Sequence, residues 1–239
     1  MPSKLIKELE KLEDKKQAEI LQRFFKTGKG QYGEGDVFLG IKVPIQRKVC
    51  KNYGNLSLDA IQKLLNSNIH EHRLCGLFVL VSKYKKADNN EKGKIFRFYI
   101  KNAKKINNWD LVDLSAPGIV GNYILENPEL RKILEKLANS DNLWEKRIAI
   151  VSTFSFIRNE KFFDEVLKIC LILLKDKHDL IHKAVGWMLR ELGKRDLLAL
   201  ECFIRANYKN IPRTTLRYAI ERFPEEKRKR FLRGEFNLI

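Results

Sequence analysis

No run of about 18 apolar residues occurs anywhere in the chain, which excludes an ordinary membrane-spanning helix. The most apolar stretch, Val166 to Leu174, is broken by Lys168 and followed by Lys175. Cysteine is sparse. Cys50, Cys75, Cys170 and Cys202 form no CxxC pair, and each lies among apolar residues, so they read as reduced, packed thiols. The first residues, Met1 to Glu8, lack the apolar segment and small-residue cleavage site of a secretory signal, so the expected compartment is the cytoplasm. Convincing β alternation is missing, and no Asn-Gly or Asp-Gly hairpin signal occurs. Metal-ligand clusters are missing too. His178 and His182 stand at i and i+4, but Asp follows the first histidine where the zincin signature wants Glu, and no third ligand recurs nearby. Asp179 reads as an N-cap, which puts His178 outside the helix. His70 and His72 are two apart and cannot share a helical face. No cofactor is expected.

Acidic residues are in short supply: 47 Lys and Arg against 30 Asp and Glu leave a net charge of +17. Such a surplus favours a polyanionic partner, because phosphate binding is driven by released counterions. An anionic membrane surface or an acidic protein remains open on composition alone.

What is present is helix after helix. Lys4 to Lys26 reads as one long helix with an apolar stripe of Leu5, Leu9, Leu12, Ile20, Leu21, Phe24 and Phe25. Residues 27–36 carry four glycines (Gly28, Gly30, Gly33, Gly35) and read as a mobile loop. It is not a Walker loop, and its lysines and amides reach phosphate only if it is more than a connector. Further helices are expected over Pro44–Tyr53, Leu58–Leu65 behind the Ser57 cap, Ile69–Lys85, Glu91–Lys104, a short helix starting at Pro128, Leu143–Arg158, Glu160–Leu174, Leu180–Leu192, Asp196–Asn207, Thr214–Phe223 and Pro224–Arg233.

The helices repeat. Arg73, Asp110, Arg147, Lys183 and Arg217 each sit early in a helix, at steps of 37, 37, 36 and 34 residues. This is the period of a two-helix solenoid of HEAT or armadillo kind. The expected fold is all-α, a HEAT-like helical-repeat solenoid with a concave basic groove, built as one domain over residues 1–239. The periodic cations then line one surface, unless they are solvated or paired with nearby carboxylates.

One stretch is unusual: Asn107-Asn108-Trp109-Asp110-Leu111-Val112-Asp113-Leu114-Ser115-Ala116-Pro117. Asn108 is a good N-cap, Asp110 suits the first turn, and Trp109 and Asp113 stand one turn apart on one face. Pro117 interrupts the helix soon after. In the following repeats lie Arg147 and then Trp187, four residues after Lys183, beside Gly186, which permits a close approach. Trp144, near a helix start, reads as a packing residue.

The runs NNWDLVDLSAP, SDNLWEKRIAIVSTFSFI, DKHDLIHKAVGWMLRELGK and PRTTLRYAIERF resemble the AlkD family of bacterial DNA alkylation repair enzymes, with similarity from about Leu21 to Phe231. The resemblance implies a DNA glycosylase that removes N3- and N7-alkylated purines from duplex DNA, without flipping the base from the stack. It places the catalytic aspartate at Asp113, the indoles at Trp109 and Trp187, and the phosphate-binding arginine at Arg147; Lys183 and Arg190 are further candidates for phosphate. Phe24 stands about where some members have tyrosine. The implied partner is double-stranded DNA carrying alkylated purines, with no membrane and no obligate protein partner, the protein acting as a monomer. A purine alkylated at N3 or N7 is cationic and leaves as a neutral base. One carboxylate therefore suffices where ordinary glycoside hydrolysis uses two. Another class of function stays open: a non-catalytic repeat protein that binds bent or branched DNA.

Overall fold

Asp14 divides what the apolar stripe alone would make a single helix. Its side chain accepts from the Gln17 amide at 3.0 Å, and its own amide donates to the Leu39 carbonyl at 2.9 Å. The computed structural model describes residues 2–236 and opens with two helices, α1 (Pro2–Glu10) and α2 (Lys15–Phe24), where one was expected. The stripe divides with them. Leu5, Leu9 and Phe25 are buried, while Leu12, Ile20 and Phe24 are exposed.

The glycine-rich segment follows, and it is more structured than a connector. Gly28 N–H donates to Gln31 Oε1 at 3.0 Å and Gly30 N–H to Glu34 Oε2 at 2.8 Å. The chain then runs through 37–41 to α3 (Val43–Cys50), α4 (Leu58–Leu65), α5 (His70–Lys86), α6 (Asn89–Lys101) and α7 (Trp109–Ala116). Ser57 caps α4 through the Ala60 amide, as its sequence position predicts. Residues 37–41 are held by Glu71, whose fully buried carboxylate accepts from the amides of Leu39, Gly40 and Ile41 at 2.9–3.2 Å. Among the described residues, the only β pairing is an isolated bridge between Val37 and Ile69. α5 packs on α3, α4 and α7.

Pro117 has the expected effect. Residues Pro117–Gly121 form a π turn, because a residue without an N–H breaks the regular ladder. Beyond it come α8 (Asn122–Glu126), α9 (Lys132–Ala138), α10 (Leu143–Ser152), α11 (Phe154–Arg158), α12 (Phe163–Leu173), α13 (Asp179–Gly193), α14 (Leu197–Asn207), α15 (Arg213–Ala219) and α16 (Glu225–Arg233). Asn142 caps α10. His178, not Asp179, caps α13: its ring Nδ1 accepts from the Leu180 amide at 3.1 Å.

The described chain is all-α, of tandem helix pairs, and divides into two compact units, 1–119 and 120–239. In the second, α13 packs against α10, α12, α14 and α15. Gly186 serves that packing. A Cβ there would lie 2.5 Å from Tyr218 Cβ and 2.6 Å from the Thr215 carbonyl oxygen, so the close approach is by α15. Trp144 is buried, and Cys50, Cys75 and Cys170 are packed, but Cys202 is exposed on α14, contrary to the expectation of a packed thiol. No helix among the described residues is long and apolar enough to cross a membrane.

Candidate active site

α7 is short, and its sequence fixes which side faces out. Leu111, Val112, Ser115 and Ala116 are buried, whereas Trp109 and Asp113, one turn apart, are both half-exposed. The helix begins where expected: Asn108, fully buried, accepts from the Trp109 amide through its side-chain oxygen at 2.8 Å. An indole and a carboxylate are thus presented together at the surface by a helix whose opposite face is core.

Trp109 is held by residues that periodicity does not reveal. Phe25 stacks on it at 5.2 Å between ring centroids with a 22° interplanar angle, and Phe24 meets it edge-on at 6.0 Å. Its indole N–H donates to the Tyr32 hydroxyl at 3.3 Å. Tyr32 comes from the glycine-rich segment, which therefore takes part in the site. The sequence signal was faint: a lone aromatic among glycines.

Beneath Trp109 lies a buried ionic network. His70 Nε2 sits 2.8 Å from Asp110 Oδ2, and His70 Nδ1 3.5 Å from Asp36 Oδ2. Arg73 places NH2 2.7 Å from the same Asp36 oxygen and donates from NH1 to the Ser67 carbonyl at 2.8 Å. Phe38 stacks on His70 at 4.5 Å. Burial opposes the charged imidazole, but Asp110 and Asp36 overcome it and raise the His70 pKa to about 9. Burial likewise works against the Asp36 carboxylate, yet His70 and Arg73 hold its pKa below the usual value. Arg73, first of the periodic cations, is therefore a structural residue, buried at 3% exposure against Asp36. The relevant partners are 40 or so residues apart in sequence, which is why no local motif shows them.

The other candidates lie in the second unit. Arg147, on α10, is 5% exposed and donates from NH1 to the Leu180 carbonyl in the first turn of α13 at 2.6 Å. Trp187, on α13, is half-exposed and lies against Phe154, 5.7 Å between centroids. Lys183 contacts Asp179 at 2.7 Å, and Arg190 pairs with Glu221. Lys183 carries the periodic position of its repeat and is ion-paired. His178 and His182 are engaged locally, His182 Nε2 lying 2.6 Å from the Asp176 carbonyl oxygen.

The family model for DNA alkylation repair enzymes matches residues 5–223. A solved structure from Enterococcus faecalis, described as a predicted DNA alkylation repair enzyme, superposes with a TM-score of 0.70 at 16% identity, covering 89% of this chain and 97% of that one. That likeness establishes a shared fold. No curated protein matches the sequence.

Proposed function

The chain belongs to the family of DNA alkylation repair enzymes, and from that premise we propose that it is a DNA glycosylase excising positively charged N3- and N7-alkylated purines, 3-methyladenine and 7-methylguanine, from duplex DNA. The observation that carries the reading is the pairing of Trp109 with Asp113, both half-exposed on one face of α7.

The chemistry follows from the lesion. Alkylation leaves the purine cationic, so its bond to deoxyribose is already weak, and the departing electron pair neutralises the base. No acid need protonate it. As the bond breaks, positive charge develops on the sugar. Asp113 stabilises that charge and orients a water, whose oxygen bonds to C1′ as its proton is released. The face of Trp109 attracts the cationic species, contributing about 0.5–2 kcal/mol. Tyr32 and Phe25 keep the Trp109 ring in one plane for this. A neutral purine gains little from the same aromatic face, which is the source of selectivity.

Arg147 is assigned to a backbone phosphate, with Lys183 and Arg190 in support. The Leu180 carbonyl fixes one arm of the Arg147 fork. Lys183 and Arg190 exchange carboxylate partners for phosphate when DNA binds. The reaction takes place with the lesion in the duplex, so no pocket limits adduct size.

The test is release of free 7-methylguanine from methylated duplex by the wild type and by Asp113→Asn. Asp113→Asn is expected to slow release by about 100-fold or more with duplex affinity nearly unchanged. Equal rates would remove Asp113 from the catalytic role, and tight duplex binding without release by the wild type would favour a non-catalytic binder of bent or branched DNA.

A further inference from the structure

The cations named so far as DNA contacts lie in the second unit, where Lys183 pairs with Asp179 and Arg190 with Glu221. The first unit holds a basic cleft of different character. It has a volume of about 400 Å³ and lies where α3, α5 and α7 meet, with Arg47, Lys51 and Lys85 among its lining residues. All three are exposed, and no carboxylate lines the cleft. Among the described residues, none of the three has an ion-pair partner. Its floor is apolar, made by Phe78, Val81 and Leu114.

Arg47 is also fixed in place. Its guanidinium carbon lies 4.2 Å from the centroid of Phe78, a buried ring, so the cation is held over an aromatic face. Leu114 directly follows Asp113, so the cleft abuts the helix that carries Trp109 and Asp113. A neighbouring cleft of about 310 Å³ shares Ser82 and adds Lys83 and Lys86.

We propose that this cleft is a second DNA contact, in which Arg47, Lys51 and Lys85 hold the phosphates of one strand of the duplex while Phe78, Val81 and Leu114 receive its deoxyribose. The inference rests on the reading of the protein as a DNA enzyme. Three unpaired cations over an apolar floor match a sugar–phosphate backbone, which alternates charge with apolar surface. Contacts of this kind set register on the duplex and carry no sequence information. They also make affinity fall steeply with salt, because each neutralised phosphate releases counterion.

The experiment is a fluorescence-anisotropy titration of the full chain with an undamaged duplex at several salt concentrations. Three proteins are compared: the wild type, Arg47→Gln/Lys51→Gln/Lys85→Gln, and a control that also removes three charges, Lys4→Gln/Lys11→Gln/Lys16→Gln, at exposed positions of the N-terminal helices and their connection. For B-DNA the slope of log affinity against log salt is about −0.9 per phosphate neutralised. The cleft variant is expected to lose about 2–3 from the magnitude of that slope, and at least about 10-fold in affinity near physiological salt. The control is expected to change the slope by less than about 1. Equal slopes in cleft variant and wild type, or an equal loss in cleft variant and control, would overturn the proposal. The double variant Lys51→Gln/Lys85→Gln, confined to exposed lysines, repeats the test without disturbing the Arg47–Phe78 stack. Because the duplex is undamaged, an inactive protein with the expected slopes would refute the glycosylase reading and leave the cleft standing.

Discussion

Trp109 and Tyr32 meet through one hydrogen bond, the indole N–H donating to the phenol oxygen. That bond spends the only polar edge of the indole, and Phe25 stacks on one of its faces. Replacing Tyr32 by Phe keeps the ring and removes the acceptor. The expected result is a release rate lowered about 3–10-fold with duplex affinity and thermal midpoint close to wild type, since one such bond contributes about 1 kcal/mol. Proton NMR of the indole N–H, assigned with Trp109→Phe, should show faster solvent exchange in the Tyr32 variant; an unmoved resonance together with an unmoved rate would exclude the role.

His70 carries a different expectation at the same scale. Its pKa lies near 9 in the fold against 6.5 for a free imidazole. Between those values the folded chain holds a proton that the unfolded chain has released. The stabilisation is therefore complete below about pH 6.5 and is lost as pH rises through 9, to a total on the order of 3 kcal/mol. Asp110 and Asp36 face the imidazole and sustain its charge, while Arg73 opposes it. Asp110→Asn removes the strongest support. The thermal midpoint of the wild type should fall more steeply between pH 6.5 and 9.5 than that of the variant, and parallel curves would contradict the assignment.

Among the elements, α13 shows how a small residue is used. The position of Gly186 beside Trp187 predicts a close approach, and the approaching group is the Thr215–Tyr218 turn of α15. Gly186→Ala should lower stability by about 1–3 kcal/mol, measurable by urea unfolding; no change would mean that α15 yields freely. Local signals placed many elements well. Ser57 and Asn142 cap where their side chains predict, and Pro117 interrupts where its missing N–H requires. Each acts within four residues of itself, so one chain segment contains the whole cause. Asp14 breaks the first helix for a reason that reaches Leu39, and Glu71 gathers three amides some 30 residues away. Periodicity has no access to such partners. The same limit divides the site: Trp109 and Asp113 announce themselves by spacing on one helix, while Tyr32, Asp36, His70 and Arg73 reach it only through the fold.

For the whole molecule, the +17 charge states a preference for polyanions without saying where they bind. The ion pairs say more. Arg73 is buried against Asp36, and Lys183 and Arg190 rest on Asp179 and Glu221, whereas Arg47, Lys51 and Lys85 line a cleft without a carboxylate. Membership of the DNA alkylation repair family makes DNA the relevant polyanion, and the proposed mechanism takes the positive charge of the departing base as the reason a lone carboxylate would suffice. The most direct test gives the wild-type protein matched duplexes containing 7-methylguanine, which is cationic, or O6-methylguanine, which is neutral, and follows free base by chromatography. Release of 7-methylguanine well above its spontaneous rate, with O6-methylguanine left in place, is the expected result. Equal release of the two bases, or of neither, would contradict it.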